Sequence, residues 1–82
     1  MEKNYYYIQR YDTKEDIEVG KNKREAIKQG KEIALKYRTS CTLLKCVEDE
    51  GSLCVTYVGI LEFPYYLRNC QLDTSDITVN LL

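Results

Sequence analysis

Asn22-Lys23-Arg24-Glu25-Ala26-Ile27-Lys28-Gln29-Gly30-Lys31-Glu32-Ile33-Ala34-Leu35-Lys36-Tyr37-Arg38 is the stretch that decides the fold. Asn22 is a good N-cap, and Glu25 three residues later gives a capping-box-like start. Ala26, Ile27, Gly30, Ile33, Ala34 and Tyr37 then recur at helical spacing and fall on one face. The pattern predicts an amphipathic helix ending near Arg38, just before Thr39-Ser40. Gly30 lies in the middle of the apolar face, where it costs about 1 kcal/mol of helix propensity relative to Ala. Close approach of the helix backbone to a sheet is the expected compensation. Glu32 and Lys36 make a favourable i,i+4 pair.

The segments on either side read as strands. Tyr5-Tyr6-Tyr7-Ile8-Gln9-Arg10-Tyr11 is aromatic and β-branched, Asp12–Asp16 is a polar turn, and Ile17-Glu18-Val19 returns before Gly20. After the helix, Cys41–Val47 and Leu53–Phe63 form a hairpin around Glu48-Asp49-Glu50-Gly51-Ser52, with Gly51 available for positive φ. The odd positions of the second arm, Leu53, Val55, Tyr57, Gly59, Leu61 and Phe63, are almost wholly apolar and are expected to meet the helix. Pro64 ends the pairing. Residues 65–72 read as a helical turn or an irregular crossing, and Asp73–Asp76 as a turn. Ile77–Leu81 alternates as a last strand. The expected fold is α+β: an antiparallel β-sheet of about four to five strands with one amphipathic helix packed on one face. Residues 1–82 make one domain.

Composition narrows the chemistry. The chain contains no histidine, the usual general acid–base and the commonest metal ligand. It also lacks a glycine-rich phosphate loop and a Cys-x-x-Cys pair, so binding is expected rather than catalysis, with no cofactor. Met1-Glu2-Lys3-Asn4 leads straight into the tyrosines with neither an h-region nor a cleavage site, and no apolar run approaches the roughly 18–20 residues of a membrane span. The expected location is cytoplasmic. Cys41, Cys46, Cys54 and Cys70 then read as reduced thiols, ahead of a disulfide or a zinc site. Cys41 and Cys46 are an odd number of residues apart, so within one strand they face opposite sides and cannot share an ion. Cys70 beside Arg68 is the one enzymatic idea, a thiol of lowered pKa, but no histidine is present to act as its base. The net charge is −1 and unevenly split: residues 1–40 carry ten Lys/Arg against seven Asp/Glu, residues 41–82 two against six.

Three surface features are candidates for binding. Tyr5, Tyr7 and Tyr11 share one strand face while Tyr6 and Ile8 share the other, and one helix cannot cover both. An uncovered tyrosine row is either a recognition surface or a gap filler beside the C-terminal tail. Glu48, Asp49 and Glu50 form an acidic turn, read either as a contact for a basic partner or as a plain exposed hairpin end. They lack the spacing of a calcium loop. Arg24, Lys28, Lys31 and Arg38 line up on the helical wheel and would grip phosphates or an acidic protein, or simply solubilise the helix.

The segment Tyr5–Thr13 followed by Asn22–Ile27 resembles small proteins of phages and mobile elements, which pair a strand ending in Tyr-Asp-Thr with a helix opening on polar-x-x-Glu-Ala. In size, acidity and lack of catalytic motifs the chain is similar to anti-CRISPR proteins. That resemblance implies an inhibitor that occupies a surface of a bacterial nuclease or its guide complex by protein–protein contact. No residue matches a specific anti-CRISPR motif, so no functional residue is carried over. The other readings are a nucleic-acid-binding accessory protein using the basic helix face, and a homodimeric structural protein paired through a sheet edge or a tyrosine face.

Overall fold

A computed structural model describes residues 3–67 and 69–82. Among the described residues five strands and one α-helix follow in the order β1 (Lys3–Arg10), β2 (Asp16–Gly20), α1 (Lys23–Tyr37), β3 (Cys41–Asp49), β4 (Ser52–Glu62) and β5 (Thr78–Leu81). The strands form one antiparallel sheet in the spatial order β2-β1-β3-β4-β5, and α1 packs across one face. The fold is α+β, as the alternating and helical periods dictate.

The helix begins and ends where its caps require. The Asn22 side chain accepts from the Glu25 backbone N–H at 3.1 Å, and Arg38 closes the helix in the left-handed conformation at φ 53°. The helix buries Ala26, Gly30 and Ala34, three small residues spaced four apart. A Cβ on Gly30 would lie 2.8 Å from Ile8 Cδ1 and 3.1 Å from Leu61 Cδ2. The sheet therefore supplies the bulk and the helix the groove. Ile8, Leu43 and Leu61 are fully buried beneath it, each contributing at most about 1.5–3 kcal/mol. Tyr37 does not join this contact line. It is 38% exposed, and the Arg10 guanidinium stacks 3.7 Å from its ring centroid while also bridging Asp12 at 2.7 Å.

Two bulges set which side chains face the helix. Tyr6 pairs with Gly20 and Tyr7 with Glu18, so Val19 is the extra residue in β2, and it is buried. Leu43 pairs with Gly59 and Leu44 with Tyr57, so Val58 is the extra residue in β4. The second bulge corrects the expectation that all odd residues of β4 meet the helix. Leu61 does, beneath Gly30 of the helix, while Gly59 is buried against the backbone of β5 and Phe63 is buried beyond the strand. Across the bulge the parity inverts: Leu53, Val55 and Tyr57 turn to the opposite face and are 61%, 46% and 41% exposed.

The molecule is elongated, 47 × 23 × 20 Å, because β3 and β4 run well past the helix. Their tip turns through Glu50 (φ 48°) and Gly51 (φ 83°), the two successive positive φ values of a tight two-residue hairpin. At the other end the chain after β4 is tied back to the start of β3. The Ser40 N–H donates to Tyr65 Oη at 2.9 Å, and the Phe63 N–H donates to Ser40 Oγ at 3.0 Å. A capped turn at Thr74–Asp76 then delivers the buried Ile77 and β5 to the edge of β4.

Candidate functional site

The face of the sheet away from the helix carries the most organised surface among the described residues. Strand pairing arranges its side chains in rows. Lys3, Glu48 and Leu53 form the first, and Tyr5, Cys46 and Val55 the second. Glu18, Tyr7, Leu44 and Tyr57 form the third. Cross-strand neighbours of this kind lie about 4.5–5.5 Å apart at Cβ. Four strands therefore converge on one groove of about 280 Å³, lined by Tyr5, Tyr7, Asp16, Glu18, Cys46, Leu53 and Val55.

The groove exists because its middle strand contributes a small side chain. Cys46 is only 1% exposed although no helix covers it, since larger neighbours stand on either side. It forms the floor, with the tyrosines as one wall and Leu53 with Val55 as the other. The Tyr5 hydroxyl is pushed up to about 12, first by its hydrogen bond with the Cys46 thiol, then by desolvation and by the nearby charges of Glu48 and Glu18. Burial, then the charge of Asp16, raises Tyr7. Both phenols stay neutral hydrogen-bonding groups across the physiological range. The carboxylates of Asp16, Glu18 and Glu48 surround them, while Lys3 reaches within 6.0 Å of the Tyr5 ring centroid. An aromatic cleft rimmed by carboxylates suits an arginine or lysine side chain, which can stack on the rings and pair with the acids.

The residues singled out from the sequence divide between several places. Tyr5 and Tyr7 line the groove and Glu48 lies in the row beside it. Tyr11 has left β1 for the following turn, where it packs against Tyr57 at the far end of the same face, with Lys14 Nζ 5.3 Å from its ring centroid. Burial, followed by the Tyr11 contact, raises the Tyr57 phenol. Asp49 alternates to the other side of the hairpin, and Glu50 sits in the turn. Arg24 and Lys28 are exposed and Lys31 half-buried on the helix. Arg38 is the left-handed cap, so the wheel that aligned it with those three does not apply at its position.

Asp16, Glu18, Leu53, Val55 and Tyr57 were not singled out. Asp16 and Glu18 become recognisable only once β2 is paired with β1. Unbroken alternation puts the last three under the helix, and the signal against that is Gly59, an isolated glycine inside a strand pattern.

Cys41 faces the core and Cys46 the groove, on opposite sides of β3, while Cys54 and Cys70 are exposed. Arg68, the expected neighbour of Cys70, lies outside the described residues. Among the described residues no group of three or more Cys, Asp or Glu side chains is placed to hold a metal ion, and no helix is long and apolar enough to cross a membrane. No family model matches the chain, and neither a curated protein nor a solved structure is significantly similar to it.

Proposed function

We propose that this chain is a non-catalytic protein-binding module whose helix-free face docks a basic surface of a partner protein. The observation that carries this reading is the groove walled by Tyr5 and Tyr7 and rimmed by Asp16, Glu18 and Glu48. Neutral aromatic area with surrounding negative charge is the complement of an Arg/Lys-rich surface. Surfaces of that kind ordinarily hold nucleic-acid phosphates. In its most concrete form the partner is a bacterial nuclease or guide complex, and the chain is a phage-encoded inhibitor in the manner of anti-CRISPR proteins, acting in the cytoplasm. Charge complementarity supports that form, together with the likeness of Tyr5–Thr13 and Asn22–Ile27 to phage proteins.

The test is a tagged pull-down from bacterial lysate, with and without nuclease treatment, read by mass spectrometry. A stoichiometric, nuclease-resistant protein is expected. Cys46→Leu, which fills the groove floor, and Glu18→Lys with Glu48→Lys, which reverses the rim, should each weaken capture by at least about tenfold, or about 1.4 kcal/mol. Arg24→Glu with Lys28→Glu should leave it unchanged. Capture that vanishes with nuclease, or that follows the helix variant and ignores the groove variants, transfers the function to nucleic acid and the basic helix.

A further inference from the structure

We infer that the open edge of β4, Ser52–Tyr57, pairs antiparallel with the same edge of a second copy of this chain, joining two sheets into one. β4 has a neighbour along both edges only over Gly59–Glu62, where β5 pairs with it, and the Leu82 N–H takes the Val58 carbonyl at 3.0 Å. Among the described residues nothing pairs with the outward backbone of Ser52–Tyr57. An open strand edge offers a row of N–H and C=O groups to another chain unless charge, proline or a bulge blunts it. Ser52-Leu53-Cys54-Val55-Thr56-Tyr57 contains no charge and no proline, and the bulge at Val58 lies just past its end.

Self-pairing is what this sequence suits. A two-fold axis normal to the sheet matches odd residues with odd, so Leu53 of each copy meets Val55 of the other on the tyrosine face. On the helix side Cys54 meets its own copy on the axis, and Ser52 meets Thr56. Centred on Cys54, such a pairing over Ser52–Thr56 contains only apolar and small polar partners, pairs that suit a sheet. The antiparallel sense also sends the two acidic tips, Glu48-Asp49-Glu50, to opposite ends of the interface. A parallel pairing would stack like charges. The area is small, well under the roughly 800 Å² per partner of a standard interface. The dimer is therefore weak and concentration-dependent, and both grooves remain open on one continuous face.

The decisive variant leaves the groove intact. Cys54→Lys with Thr56→Lys changes two exposed side chains on the helix side of β4 and places four cations in the paired edge. Sedimentation equilibrium of the wild-type chain should show mass rising from 9.6 kDa toward twice that value as concentration increases, and the double variant should need at least about tenfold more protein to do so. In the Cys70→Ser background, oxidation with diamide should yield a covalent dimer through Cys54 that Cys54→Ser abolishes. Circular dichroism confirms that each variant stays folded. A wild-type chain that is monomeric to about 1 mM, well beyond a weak micromolar association, overturns the proposal, and so does a double variant that dimerises as readily. Neither result bears on the groove, which the pull-down variants test separately.

Discussion

Cys41 and Cys46 stand five residues apart on one strand and meet opposite environments. Cys41 lies in the core at 0% exposure, where burial pushes its thiol from 9.0 up to about 11. Its Sγ–H points at the Thr39 carbonyl, 3.7 Å away. The folded chain thus holds this proton more tightly than the unfolded chain does. The associated stability is fully present below pH 9.0 and is lost as pH rises through 11. Urea unfolding measured along a pH series should therefore give a flat stability to about pH 9 and a decline above it. Cys41→Ala should start lower, by about 1–2 kcal/mol for the small cavity, and fall less steeply between pH 9 and 11. An unchanged slope in that variant would show that Cys41 is not the titrating group.

The helix was legible at the scale of the element because each of its signals agreed. A cap, a 3.6-residue period and a mid-face glycine all pointed one way, and the contact with Ile8 and Leu61 accounts for the glycine. The two faces of β1 were legible as well, though not which one is buried: Tyr6 and Ile8 lie in the core, Tyr5 and Tyr7 on the other side. β4 was not, and one residue explains the miss. Alternation assumes an unbroken pleat, and the extra Val58 breaks it without changing the apolar look of the sequence. Leu53 and Val55, two of the seven residues lining the groove, were hidden for that reason. Gly59 beside the bulge is needed because β5 passes so close: a Cβ there would lie 2.5 Å from the Asn80 carbonyl oxygen and 3.0 Å from Leu81 Cα. Both are backbone atoms and cannot rotate away. Gly59→Ala lowers the entropy of the unfolded chain, which favours folding, yet should destabilise the protein by about 2 kcal/mol, because β5 must shift and expose Ile77. The shift should appear as faster proteolysis within residues 77–82, and a variant as protease-resistant as the wild type would mean that β5 tolerates the methyl group.

Across the whole molecule, the groove sits where the sheet outgrows its helix. The buried side chains cluster at one end, around Ile8, Leu43, Leu61 and Phe63, and the hairpin from Val47 to Val55 projects beyond them with much of both faces in water. Local stability follows buried apolar contacts, so it should fall along the long axis toward the acidic tip. Native-state hydrogen exchange should find the slowest amides at Ile8, Leu43 and Leu61 and the fastest strand amides between Glu48 and Val55. The difference should be about 2 kcal/mol or more, since the tip can open without disturbing the core. A uniform protection pattern would sink this expectation. The same gradient separates the two interactions proposed above. Filling the groove must order Tyr5, Cys46 and Val55 together, and protection should then rise in β1, β3 and β4 alike. Pairing along the open edge supplies new backbone partners to β4 only. Exchange measured at low and high concentration of the free chain should therefore slow at Ser52–Tyr57 and leave Tyr5 unchanged, whereas a groove-bound partner should slow both.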